Sequence, residues 1–302
     1  MEHESVLAIS HSALRGSACT HEGNVRSLNE DAFLIAPGVY AVADGMGGHQ
    51  AGEVASRITI DTCATMATGE PLAVAAVADM VSRANDEVRR YAIDHHTEGM
   101  GCTLVGAVLV DNGGVDALVV FNVGDSRCYA LIDDQPMAQL TVDHSLVQEM
   151  VDNGELTVAQ ARTHAQRNVV TRAIGIENSV AADYIVVPAA GRVRLLLCSD
   201  GVSTELTDEE IGALLVEHGD PEVAARSIVD AVLAGRAADN ATALVVDFVP
   251  PVPAGEAPST LDEATGPPPN AAARSRTRTK DDSAAETDAG PPPPGLIDVV
   301  PL

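Results

Sequence analysis

The chain has 302 residues, is 46 % hydrophobic but only 2 % aromatic, and carries a formal net charge of −26. That is enough for one large domain or two ordinary ones around an aliphatic core, and the charge argues against nucleic acid or an anionic membrane surface as a partner. Its one lysine, Lys280, lies far along the chain, which excludes a P-loop lysine, a kinase strand lysine and a Schiff-base lysine in the body of the protein.

Glu2, His3, Glu4 and Arg15 surround a short apolar patch that does not read as a secretory leader. Residues 32–36 and 39–43 are predicted strands. Two helices follow, the second marked by Val77, Met80, Val81, Ala84, Val88 and Tyr91 on one face. Residues 102–110 and 115–123 are predicted strands joined through "DNGG", a hairpin signal because Asn and Gly accept positive φ. A strand at 127–132 precedes a polar, partly helical stretch at 141–165. "VRLLLCS" (193–199) is a predicted buried strand. A helix capped by Thr207 and another between Asp220-Pro221 and Gly235 lead to a last strand at 242–248. Strict strand–helix alternation is absent, which predicts an α+β fold with antiparallel sheets.

Of 17 prolines, 12 fall from Pro250 onward, and no aromatic residue accompanies them. The division expected is a compact domain over 1–249 and a Pro-rich, disordered tail over 250–302, with the basic "RSRTRTK" run (274–280) read as solvated linker or, alternatively, as a docking or regulatory segment. No run of about 18 apolar residues suggests a membrane span. Cys19, Cys63, Cys102, Cys128 and Cys198 are odd in number and lack C-x-x-C spacing, which predicts reduced, buried thiols in a cytoplasmic protein. None has an arginine six residues later, so cysteine-based phosphate chemistry is excluded.

Carboxylates recur where apolar segments stop or begin: Glu30-Asp31, Asp44, Asp125, Asp200 and Asp239. Any one Asp-Gly after a strand reads as a turn. Four such sites, each Asp-Gly, Gly-Asp or Asp-Asn beside a short apolar strand, point to a shared cation, since a carboxylate at a buried strand end is costly unless compensated. Oxygen-only donors suit Mg2+ or Mn2+ rather than zinc. Spacing alone does not bring them together.

Eight stretches in order resemble the metal-dependent Ser/Thr protein phosphatases of the 2C type, in their bacterial form. They are "GNVRSLNEDAF" (23–33), "VADGMGGHQAGEVAS" (42–56), "GCTLVGAVL" (101–109), "NVGDSRCY" (122–129), "LTVDHSLVQEMVDNGELT" (140–157), "HAQRNVVTRAIG" (164–175), "LLLCSDGV" (195–202) and "ADNATALVV" (238–246). The resemblance implies two central antiparallel β-sheets sandwiched between pairs of α-helices, a four-layer αββα arrangement, with a flap at about 134–175. It implies that Asp44 bridges two Mn2+ or Mg2+ ions and that the Gly45 carbonyl binds one of them. Asp200 and Asp239 would bind the other. Glu30 and Asp31 would hold waters or ligate directly, Asp125 would support a third ion, and Arg26 would grip the phosphoryl group. Two such ions share a water and lower its pKa for attack on phosphorus.

Two departures stand out. Met46 occupies the place where some relatives carry a histidine proposed as general acid, which leaves His49 or a water for that role. Cys102 replaces a Thr or Ser and predicts a small packing change. His144 and Ser145, at the start of the flap, read as structural rather than catalytic. The expected activity is dephosphorylation of phosphoserine and phosphothreonine in proteins, Ser/Thr kinases among the substrates, by a cytoplasmic monomer. The alternatives are a non-catalytic phosphoprotein-binding module and a phosphatase dedicated to an anti-sigma-factor antagonist.

Overall fold

A computed structural model describes residues 9–10, 14–47, 51–112, 116–133, 135–188, 191–248 and 298–299. In chain order its main elements are β1 (Leu14–His21), β2 (Asp31–Ala36), β3 (Val39–Met46), α1 (Ala51–Ala64), α2 (Val74–His95), β4 (Leu104–Asp111), β5 (Asp116–Val123) and β6 (Arg127–Ile132). There follow α3 (Leu146–Asp152), α4 (Val158–Thr163), β7 (Asp183–Pro188), β8 (Val193–Cys198), α5 (Asp200–Glu205), α6 (Asp208–Glu217), α7 (Pro221–Ala234) and β9 (Ala241–Phe248). The remaining strands are two-residue pieces, among them Asp298–Val299, which pairs with Ile185 and Val186 of β7.

The strands form two sheets. One runs Ile9–Ser10, β1, β9, β8, β6, Ala138–Gln139, and the other Asp298–Val299, β7, β5, β4, β3, β2. All neighbours along both paths are antiparallel. The inner faces meet through Tyr40, Val42, Val105, Val120, Leu195 and Leu244. The outer face of the second sheet packs under α1 and α2 through Val108, Val119, Phe121, Met80 and Val88. The outer face of the first packs under α5 to α7 through Leu196, Val245, Ile211 and Ile228. This is the four-layer α+β arrangement expected.

Both sheets are covered on both faces, which explains why β8 and β9 read as continuous apolar runs. Alternate residues serve different cores: Leu244 and Val246 face the other sheet, Ala243 and Val245 the helices. The helix ends follow local chemistry. Thr207 Oγ1 accepts from the Glu210 N–H while the Glu210 carboxylate accepts from the Thr207 N–H, a capping box. Asp220 accepts from the Glu222 and Val223 N–H groups with Pro221 at the first helical position.

Two strands escaped the sequence reading. β1 is short of large apolar residues, and β7 follows a loop without an obvious boundary. Pairing with β9 and β5 makes them strands. Residues 113–115 of the hairpin turn, His49, and the tail apart from Asp298–Val299 lie outside the described residues. Among the described residues no helix is long and apolar enough to cross a membrane. All five cysteines are free and buried.

Candidate active site

The strand ends of both sheets meet at one edge of the sandwich. β3 carries Asp44 and Gly45, and β2 begins at Asp31, directly opposite Asp44 in the ladder. From the other sheet, Asp200 opens α5 after β8, and Asp239 precedes β9. Asp125 lies in the turn between β5 and β6. Backbones touch where these loops cross. A Cβ on Gly45 would lie 2.2 Å from the Gly52 carbonyl oxygen, and one on Gly201 would lie 1.9 Å from that of Asn240. Only glycine allows either approach.

The carboxylates perturb one another. Asp44 and Asp200 lie close enough to set each other's protonation, and two ionised carboxylates side by side are costly unless a cation lies between them. Burial first, then the charges of Asp31, Asp200, Asp125 and Asp239, push Asp44 well above the usual carboxylate range. Burial and neighbouring carboxylates raise Asp31 to about 7, Asp125 to about 8 and Asp200 to about 6. Glu30 is also raised, chiefly by burial. Groups that repel in this way favour a cation among them.

Polar residues outside the predicted set hold the carboxylates in place. Asp31 Oδ2 accepts from Ser199 Oγ and Thr242 Oγ1, both at 2.7 Å. Its buried Oδ1 has no partner. The Asp44 N–H donates to Thr103 Oγ1 at 3.0 Å, and Thr103 Oγ1 lies 2.7 Å from Ser126 Oγ, beside Asp125. Asn240 ties down the Arg26 loop: its Oδ1 accepts from the Glu30 N–H, and its Nδ2 donates to the Glu22 and Leu28 carbonyls. The motif letters around Asp239 and Asp200 contain these residues, but nothing local in the sequence reveals partners some 200 positions away.

Arg26 is exposed at the rim and donates through Nη2 to Asp239 Oδ2 at 2.8 Å. The hydrogen bond to Asp239 raises its pKa, so the guanidinium stays charged. Among the described residues, no three His, Cys, Asp or Glu side chains are drawn together tightly enough to hold a metal ion as they stand. Asp239 is engaged by Arg26 and one oxygen of Asp31 by two hydroxyls. The donor set nevertheless fits a hard divalent cation. It is oxygen-only, its carboxyl groups crowd one another, and it includes one unpartnered buried carboxylate oxygen.

The Protein phosphatase 2C model matches residues 15–240, a span that contains the whole carboxylate cluster. The chain belongs to the protein phosphatase 2C family. It is 37 % identical over 242 residues to the serine/threonine protein phosphatase PstP of Mycobacterium tuberculosis, covering 78 % of this chain and 45 % of that one. It thus spans about half the length of that relative. It is 34 % identical over 241 residues to the serine/threonine phosphatase stp of Listeria innocua, covering 76 % of this chain and 93 % of that one. The crystal structure of the catalytic domain of PstP in complex with two manganese ions superposes with a TM-score of 0.70 at 33 % identity, over 78 % of this chain and 99 % of that one.

Against that family frame the two departures have clear settings. Met46 is the last residue of β3, pairs with Gly101 and is partly buried. It offers no proton. Cys102 is fully buried, with Sγ 3.1 Å from Thr59 Oγ1, so the thiol keeps a hydroxyl partner. Burial raises that thiol to about 12, which keeps it protonated. Residues 134–175, expected as a flap, include α3 and α4. They are anchored by Arg162 Nη2 on the Ser203 and Leu206 carbonyls and by paired backbone bonds between Cys102 and Ile174.

Proposed function

We propose that this chain hydrolyses phosphoserine and phosphothreonine in proteins with Mn2+ or Mg2+ as its cofactor. The observation that carries the reading is the Asp44–Asp200 carboxyl pair, drawn from different sheets into one mutually repelling cluster. Asp44 and the Gly45 carbonyl, with Asp200 and Asp239, would hold two ions, and Glu30, Asp31 and Asp125 would support them or a third. When bound, the ions supply an activated water and offset charge on the phosphoryl oxygens.

The protein's own residues do the rest. Ser199 and Thr242 orient Asp31, Thr103 fixes the backbone that delivers Asp44, and Asn240 holds the Arg26 loop against Asp239. Arg26, at the solvent edge, presents a planar guanidinium matched to two phosphoryl oxygens. Its exchange from Asp239 to an arriving phosphoryl group keeps the charge paired throughout. The complete carboxylate set favours an enzyme over a phosphoprotein-binding module, which has no need for it. The same reading has the protein act in the cytoplasm as a monomer on phosphorylated proteins, kinases among them.

The test is phosphate release from a phosphothreonine peptide by the purified chain. Turnover with Mn2+ that stops on adding EDTA and returns with excess Mn2+ supports the reading. Equal turnover in EDTA contradicts it, as does none at any concentration of Mn2+ or Mg2+.

A further inference from the structure

His144 is buried, and every polar atom it owns is engaged. Its backbone N–H donates to the Gly124 carbonyl at 2.9 Å, and its carbonyl accepts from the Thr171 N–H at 2.8 Å. Nδ1 accepts from the Gly124 N–H at 2.9 Å, and Nε2 lies 3.2 Å from Asp183 Oδ2. Arg172 Nη1 donates to the other oxygen of Asp183 at 2.7 Å. One residue therefore touches the turn that carries Asp125, the returning arm of the flap at 171–172, and the start of β7.

A backbone N–H can only donate, so Nδ1 must present its lone pair to Gly124 and the ring proton must sit on Nε2. There it is aimed at Asp183. Burial lowers the imidazole pKa and so favours this neutral form. The ring clamps Gly124 from one side. On the other, Thr103 meets Ser126 and also receives the Asp44 N–H. The Gly124–Asp125 turn is thus held between the end of β3 that bears Asp44 and the flap.

We propose that His144 is a positioning residue that fixes the Gly124–Asp125 turn, and with it the Asp125 carboxylate, while tying that turn to the returning arm of the flap. This rests on the reading of Asp125 as a support of the metal cluster. Its two ring nitrogens do separable work, the acceptor on the turn and the donor on the flap side.

Two variants separate them. In His144→Asn the side-chain oxygen reaches the place of Nδ1 and keeps the acceptor for Gly124. In His144→Gln the longer amide reaches the place of Nε2 and keeps the donor toward Asp183. Hydrogen exchange of peptides spanning 122–127 and 168–175, in EDTA, reads the two links without catalysis. The Mn2+ concentration for half-maximal phosphopeptide turnover reads their effect on the site. His144→Gln should expose 122–127 to faster exchange and raise half-saturating Mn2+ by about 10-fold or more, the usual effect of losing an outer partner of a metal site. His144→Asn should keep 122–127 protected and half-saturating Mn2+ near the parent value, with faster exchange confined to 168–175.

The proposal is overturned if His144→Gln matches the parent in both readouts, or if the two variants are equally impaired. Should His144→Gln fail to fold, the exchange pattern of His144→Asn decides alone, with loss of protection at 122–127 overturning the proposal. A parent chain inactive with Mn2+ would refute the proposed function, whereas the exchange data would still decide the role of His144.

Discussion

Asp44 and Asp200 approach each other from different sheets, one within a strand and the other at the first residue of a helix, close enough that the Asp200 charge raises the Asp44 carboxyl. Two carboxylates meet there only with a proton or a cation to reconcile them. The behaviour expected of the site follows from that contact.

Asp200→Asn and Asp239→Asn remove charge from the cluster without changing its shape. Turnover of a phosphothreonine peptide should fall by more than the ~10–100-fold that outer partners of a metal site typically cost. Melting temperature in EDTA should rise for Asp200→Asn, because one source of repulsion at Asp44 is gone. Full activity in either purified variant would contradict the assignment.

Stability without divalent ions should depend on pH in an unusual direction. Asp31, Asp125 and Asp200 hold their protons up to about 7, 8 and 6 in the folded chain, whereas an unfolded carboxylate titrates near pH 4. The folded state therefore binds more protons across the window from about pH 4 to 8, and stability is lost as pH rises through it. His144, with its pKa lowered, works the opposite way below about 6.5, but it is one group against several. Thermal melts in EDTA should fall from about pH 6 to pH 8, and saturating Mn2+ should abolish the trend. A melting temperature that climbs over that range in EDTA would refute the cluster's electrostatics.

The Ser199 and Thr242 hydroxyls make the hydrogen bonds that aim Asp31. Thr242→Val keeps the shape and removes one donor. Calorimetric titration with Mn2+ should show affinity weakened by about 10-fold, within the range for outer partners of a metal site. Unchanged Mn2+ affinity would mean that Asp31 does not serve the ions.

Residues 1–249 contain 36 acidic residues and 14 arginines, so the domain repels a phosphorylated substrate at long range, and only bound cations reverse the field locally. Adding salt at saturating Mn2+ should leave kcat/KM for a phosphopeptide level or slightly raised. A steep fall with salt would contradict this.

Much of this was legible in the chain itself. Continuous apolar runs closed by Asp-Gly located β3 and the end of β8, because a strand buried on both faces cannot alternate with polar residues, although β3 runs on through Asp44 and Gly45 to Met46. The caps of α6 and α7 were readable because Thr207 and Asp220 bond residues two or three positions on. What stayed hidden depends on distant contacts. Thr242 reaches Asp31 across 211 positions, and Arg26 reaches Asp239 across 213. No local pattern announces such partners. β1 was missed for the same reason, since pairing with β9 rather than its own composition makes it a strand.

The most direct test is anomalous diffraction from a crystal of this chain grown with Mn2+. Manganese peaks flanking Asp44, with Asp200 and Asp239 as neighbours of one of them and Arg26 released from Asp239, are the expected result. Density showing Arg26 still bonded to Asp239, with no manganese peak between the strand ends, would contradict it.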